Sequence, residues 1–151
     1  MKLPIIKTLN HPEIITATRD LPTRGMLKIT DNKLVYLDID DEYIHRLFPL
    51  IQDPLVQKPN YFAKGSAGAH ITVSYPEENK IIDNGEMNQE YNFKILKAVT
   101  AKIGAKTYYV LLVHSPALLA LRHRYHLPDE LNFKGYLIGF HITFGGLVST
   151  L

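Results

Sequence analysis

Apolar and polar residues alternate along this chain in short runs, and turn residues punctuate the runs. Met26–Thr30 and Lys33–Ile39 are rich in strand formers and flank Asp31-Asn32, which reads as a hairpin. Asp40 or Asp41 can then cap a helix to about Gln52, bent or shortened by Pro49. A Pro- and Gly-containing loop, Asp53–Gly68, leads to a short strand, Ala69–Ser74. The order then returns. Phe93–Ile103 and Thr107–His114 flank Gly104-Ala105, a second hairpin. Ser115 is a good N-cap and Pro116 sits at the first helical position, where its missing N–H costs nothing. Leu118, Leu121 and Tyr125 recur at helical spacing up to about His126, and Pro128 stops the helix. A loop with Gly135 leads to a strand, Leu137–Phe144. Between the halves, Glu77–Glu90 is acidic and carries Asn79, Asn84, Gly85 and Asn88, as an exposed linker does.

Each half thus reads hairpin, helix, strand, and the closing strands match in letters. Gly68-Ala69-His70-Ile71-Thr72-Val73-Ser74 and Gly139-Phe140-His141-Ile142-Thr143-Phe144-Gly145 share Gly-x-His-Ile-Thr. The repeat predicts one α+β domain over residues 1–151, made of two pseudo-symmetric lobes of antiparallel sheet with helices outside. The lobes span about 20–76 and about 91–146, and each contributes one motif to a central cleft.

Side chains on a strand point alternately to opposite faces. His70, Thr72 and Ser74 should therefore share one face, with Ala69, Ile71 and Val73 on the other. His141 and Thr143 should likewise lie opposite Phe140, Ile142 and Phe144. The apolar faces belong in the core, which leaves the His/Thr faces to line a surface or cleft. Two opposed histidines suit phosphodiester hydrolysis, which removes a proton from the attacking oxygen and delivers one to the departing oxygen. An ordinary histidine pKa of ~6.5 allows one neutral and one charged ring near neutral pH. Two threonine hydroxyls can donate to the phosphoryl oxygens, so no metal or cofactor is called for.

Composition narrows the partners. The net charge is only +2, which does not suit a polybasic non-specific binder, although residues 91–151 hold seven Lys and Arg against two Asp and Glu. There is no Cys, which excludes thiol nucleophiles, iron–sulfur clusters and Cys–zinc sites. No apolar run approaches the ~20 residues of a membrane-spanning helix, and Pro4 and Lys7 interrupt the N-terminal apolar stretch before it could serve as a signal peptide. The expected address is cytoplasmic, with neither membrane nor DNA as partner.

With its two tetrapeptides, His70-Ile71-Thr72-Val73 and His141-Ile142-Thr143-Phe144, the chain resembles the 2H phosphoesterase superfamily, whose hallmark is a paired His-hydrophobic-Thr/Ser-hydrophobic motif. The resemblance implies a bilobal fold and metal-independent hydrolysis of phosphodiesters in nucleotides or RNA, 2′,3′-cyclic phosphates and 2′–5′ linkages among them. It also implies that His70 and His141 are the acid–base pair and that Thr72 and Thr143 hold the phosphate. Ser74-Tyr75-Pro76 and Gly145-Gly146 depart from the flanks of the bacterial RNA-ligase-like branch, so the substrate is not fixed by the motifs. A hydrolase of cyclic oligonucleotide signals, as among phage members, and a nucleotide-binding module without turnover are the alternatives. The histidine-triad hydrolases need alternating histidines in one strand, which this chain lacks.

Outside the motifs, Tyr75, Tyr136, Tyr61 and Phe133 flank the motif strands and could stack on a base, Tyr75 first among them. Lys64 and Lys134 could meet a phosphate from the loops before the motifs. His123 and His126 share a helix face but sit beside Arg122 and Arg124, which repel a cation. Asp38, Asp40 and Asp41 read as strand-end polarity and helix capping. Gly65-Ser66-Ala67-Gly68 lacks the Lys-Ser/Thr ending of a phosphate-binding P-loop.

Overall fold

The computed structural model describes residues 2–78 and 84–148. Its strands are β1 (Ile5–Thr8), β2 (Arg24–Ile29), β3 (Val35–Asp38), β4 (His70–Ser74), β5 (Glu90–Asn92), β6 (Lys94–Ile103), β7 (Lys106–His114), β8 (Leu131–Phe133), β9 (Tyr136–Ile138) and β10 (His141–Val148). The α-helices are α1 (Pro12–Thr18), α2 (Glu42–His45) and α3 (Pro116–Arg124). Eight strands form one antiparallel sheet in the order β1-β6-β7-β10-β4-β3-β2-β5, and β8 pairs with β9 apart from it. The architecture is α+β. The order is mirrored about the β10–β4 contact, with β6-β7-β10 on one side and β4-β3-β2 on the other. The two motif strands are therefore direct neighbours in one continuous sheet.

The apolar face of that sheet makes the core. Leu27, Leu37, Ile71, Leu111, Ile142 and Phe144 are fully buried with Ile14 of α1, Ile44 of α2, and Leu118 and Leu121 of α3. Helix α2 packs against β10 and α3 against β4, so each half's helix backs the other half's motif strand. The Ser115 cap forms as expected, with its Oγ accepting from Leu118 N–H and donating to the Asn92 carbonyl. Among the described residues no helix is long and apolar enough to cross a membrane.

Several elements differ from expectation. The helix expected from Asp40 to about Gln52 is only α2, followed by a 3-10 turn at Phe48–Leu50 that contains Pro49. Proline supplies no N–H and disfavours α geometry in the residue before it. The strand expected at Leu137–Phe144 is split into β9 and β10. The loop before it is the β8–β9 hairpin, turned at Lys134 (φ 52°) and Gly135 (φ 84°). Strand β1 was not expected at all. All four of its residues are exposed, so it carries no alternation to read.

The acidic segment is not a uniformly exposed linker either. Residues 79–83 lie outside the described residues, but Glu78 is buried against Arg122. The Arg122 guanidinium reaches Glu78 through both terminal nitrogens, at 3.1 and 2.8 Å. It also donates to the carbonyls of Val73, Pro128 and Glu130. One side chain on α3 thus holds the end of β4, the turn at Glu78 and the chain after α3.

Candidate active site

The Cα register between β10 and β4 sets Ile142 opposite Ile71. One residue to either side, antiparallel pairing sets His141 beside Thr72 and Thr143 beside His70, on the face opposite the isoleucines. Directly opposed side chains on one face lie about 5 Å apart at Cβ. All four line a cavity of about 120 Å³ together with Tyr61, Tyr75, Tyr108 and Phe133. The paired motifs thus converge because they occupy adjacent strands at matched register.

Simple alternation fails just beyond each threonine. The β3–β4 register runs Tyr36–Thr72 and then Val35–Ser74, skipping Val73. The β7–β10 register runs Val110–Thr143 and then Tyr109–Gly145, skipping Phe144. Each motif strand therefore carries a bulge after its threonine, a device that re-aims the side chains downstream. The first bulge turns Ser74 away from the motif face, where alternation had set it, and opposes it to buried Val35. There its hydroxyl is fully buried and unpartnered. The same bulge brings Tyr75 back to the cavity. The second puts Gly146 on the His141/Thr143 face, opposite Tyr108.

Both histidines are anchored alike. His70 Nδ1–H donates to the Gly68 carbonyl at 2.7 Å, and His141 Nδ1–H to the Gly139 carbonyl at 2.8 Å. A carbonyl can only accept, so Nδ1 keeps its proton and Nε2 is the nitrogen left to exchange one. The glycine two residues before each histidine thus has its role through its carbonyl. Burial lowers the pKa of both rings. For His70 the Gly68 carbonyl and the Asp38 carboxylate oppose that shift. For His141 the Gly139 carbonyl opposes it, while charge on His70 adds to it. Asp38 pairs with His70 across the β3–β4 ladder. Its own pKa is raised, chiefly by desolvation and then by Asp41, with Lys28 and His70 acting the other way.

Aromatic rings hold the site's walls. Tyr61 meets the edge of His70 at 4.8 Å and Tyr36 does so at 5.7 Å. The Tyr61 phenol lies beside the Thr143 hydroxyl and the Tyr75 phenol beside that of Thr72. Burial raises the pKa of both tyrosines, and in each the neighbouring threonine opposes that shift. Tyr75 also packs on Phe133 at 5.1 Å. Of the other binding candidates, exposed Lys64 does not line the cavity, and neither does Tyr136, which lies under the Lys2 ammonium. Lys134 does not line the cavity either, and its ammonium sits over the Phe133 ring at 5.1 Å. His123 pairs with Asp129, and among the described residues no three His, Cys, Asp or Glu side chains are grouped to hold a metal ion.

The sequence reading missed Tyr108 and gave Asp41 only a capping role. Tyr108 shares a strand face with Val110, and that spacing could have found it. Asp41 stands at the N-cap of α2, but its side chain makes no cap hydrogen bond. Its Oδ1 accepts from Ala69 N–H, while Asp40 accepts from Glu42 N–H. Gly68, at φ +67°, lies so close to Asp41 that a Cβ there would come within 2.5 Å of Oδ1. Gly139 has open space around its Cα. Gly68→Ala is therefore expected to lower kcat at least ten-fold by shifting the His70 anchor, and Gly139→Ala to change it less than three-fold. Steady-state kinetics on the two folded variants checks this, and equal effects would contradict it.

The Swiss Army Knife 2H phosphoesterase domain family matches residues 35–147, a span that holds both motif strands and the bulged ladders around them. The chain belongs to the 2H phosphoesterases. It is, in that general sense, a phosphodiesterase-type hydrolase. No curated protein and no solved structure matches it. The 2H match begins at β3, so the β1, α1 and β2 segments precede it.

Proposed function

We propose that this 2H phosphoesterase hydrolyses nucleotide or RNA phosphodiesters, of the 2′,3′-cyclic phosphate or 2′–5′ type, by paired-histidine acid–base catalysis without a metal ion. The observation that carries the reading is the convergence of two carbonyl-anchored histidines and two threonines on one small cavity. His141 is assigned as the base and His70 as the acid. Asp38 favours the charged form of His70, whereas the charge acting on His141 is that of His70. As water oxygen attacks phosphorus, its proton passes to His141 Nε2. The bond from phosphorus to the departing oxygen breaks, and that oxygen takes a proton from His70 Nε2. One water is consumed, a phosphomonoester and a free hydroxyl result, and solvent resets the two rings. Thr72 and Thr143 donate to the phosphoryl oxygens. Tyr75 and Phe133 offer a stacking wall for the base or ribose.

The test is a substrate panel of a nucleoside 2′,3′-cyclic phosphate, a 2′–5′ dinucleotide and a 3′–5′ dinucleotide, with and without EDTA. Phosphorus NMR reads the product. Hydrolysis of one of the first two, unchanged by the chelator, is expected. Activity lost in EDTA and restored by a divalent ion would contradict the reading.

The assignment also fixes a pH dependence. kcat/KM rises from acid as His141 loses its proton and falls at higher pH as His70 loses its own, with both apparent values belonging to the pair. Because burial depresses both, the bell is expected on the acid side of the ordinary histidine value of about 6.5. Asp38→Asn removes a charge that holds the proton on His70, so the alkaline limb should move to lower pH. A downward shift of the acid limb, with the alkaline limb unmoved, would reverse the roles.

A further inference from the structure

The cavity at the histidines, about 120 Å³, is smaller than the roughly 300–1,000 Å³ of ordinary small-molecule sites. A second, open groove of about 480 Å³ continues from it, and Tyr61, Tyr108 and Thr143 line both. Beyond them the groove runs between the end of β10 and the loop that carries Gln57, Lys58 and Asn60. Gln57 fixes that loop to β10, exchanging two backbone hydrogen bonds with Gly146 at 2.8 and 3.0 Å.

The second bulge makes the floor. Alternation along β7 puts Tyr108 and Lys106 on the same sheet face as Val110, which lies opposite Thr143, and the bulge in β10 sets Gly146 opposite Tyr108. Gly146 has no side chain to cover the Tyr108 ring. A Cβ there would press on Lys106 Cε at 3.2 Å. The Lys106 ammonium rests over the Tyr108 ring, 4.8 Å from its centre. Lys58 lies across the groove, bonded to His45 Nδ1 at 2.7 Å. No Asp or Glu lines the groove, and among the described residues neither lysine has a carboxylate partner. Neither lysine lines the inner cavity. At about 3.3 Å per residue, Lys106 springs from the strand roughly 13 Å beyond Val110. Two cations, a half-buried tyrosine ring and two side-chain amides, set past the two motifs, match a neighbouring nucleotide unit with its own phosphate.

We propose that this groove is a second-nucleotide subsite, so that the preferred substrate carries at least two phosphates, with Lys58 and Lys106 on the phosphate next to the scissile one and Tyr108 under a base or ribose. The proposal rests on the phosphodiesterase reading above and names its substrate class: a short oligonucleotide, linear or cyclic, in preference to a mononucleotide.

Binding tests it without turnover. In His70→Ala/His141→Ala protein, Kd is measured by calorimetry for adenosine 3′-monophosphate and for adenylyl-(3′→5′)-adenosine 3′-monophosphate, which adds one nucleotide and one phosphate. The dinucleotide should bind at least ten-fold tighter, and adding Lys58→Ala and Lys106→Ala should bring the ratio of the two Kd values near one. Equal affinities, or a ratio that the lysine changes leave intact, would overturn the proposal. Cyclic diadenylate as a third probe tells the source of the second phosphate: tighter binding than the linear dinucleotide means a ring, weaker means a chain, and both require the groove. If the ratio behaves as expected but the wild-type protein hydrolyses neither the panel nor the dinucleotide and cyclic probes, the hydrolase reading fails and the subsite stands. Turnover with equal affinities does the reverse.

Discussion

His70→Ala and His141→Ala are each expected to lower kcat by roughly 10²–10⁴-fold on whichever phosphodiester the panel identifies, with KM changed far less. Each ring supplies one proton transfer, and that range is what one positioned acid or base contributes. Neither ring supplies most of the contact area, because the tyrosines and Phe133 wall the cavity. Thr72→Ala and Thr143→Ala remove one uncharged donor each, for which a lost oxyanion donor sets a ceiling of about 10²–10³-fold. The two should not be equal. Thr72 is buried at 5% exposure, so water replaces its hydroxyl poorly, whereas half-buried Thr143 opens towards the groove. Thr→Ser keeps the hydroxyl at either position and should keep substantial activity. Circular dichroism establishes that the variants fold, and kcat then decides. A folded histidine variant with near wild-type turnover would make the repeated Gly-x-His-Ile-Thr a structural feature of the sheet.

Loss of the Glu78 carboxylate is expected to cost about 3–5 kcal/mol of folding stability, the usual effect of leaving one member of a buried ion pair alone. The side chains of Arg122 and Glu78 are 0% and 4% exposed, so screening by water does not reduce the effect. Arg122→Ala should be at least as damaging. It strands Glu78 and also leaves the carbonyls of Val73, Pro128 and Glu130 without their donor, at about 1–3 kcal/mol for each that stays buried and unpaired. Against a typical total of 5–15 kcal/mol, that approaches unfolding. Arg122→Lys should not rescue it, since an ammonium lacks the planar fork that engages five acceptors at once. Urea unfolding of Glu78→Ala measures the effect, and a loss below 1 kcal/mol would show that the pair contributes little. Because Val73 directly follows Thr72, a folded Glu78→Ala protein should also lose some activity.

The elements legible in the sequence were those whose signal is local. Gly104-Ala105 turns the long β6–β7 hairpin, and Ser115-Pro116 starts α3, because turns and caps are set by the residues that form them. The two motifs were legible because matched letters in matched order imply matched positions. What alternation could not show was the pair of bulges, since skipping Val73 or Phe144 is a choice made by the partner strand. Ser74 was misplaced for that reason, and Gly145-Gly146 looked like a departure from the motif and not like the floor of a groove. Asp41 and Glu78 were read as a cap and as linker polarity because short-range rules assign carboxylates to the nearest backbone. Their partners, the Ala69 N–H and Arg122, lie 28 and 44 residues away. Strand β1, fully exposed at the sheet edge, has no pattern of its own and is defined by its pairing with β6.

The central claim is that His70 and His141 work as one acid–base unit on a phosphodiester bond. The most direct test is the double-mutant cycle for kcat with His70→Ala, His141→Ala and the double variant on the identified substrate. Groups that act as a unit are far from additive, so the account predicts a double variant only slightly slower than the worse single one, well short of the product of the two defects. A double variant slowed by the full product would mean that the two histidines act independently, and would contradict the account.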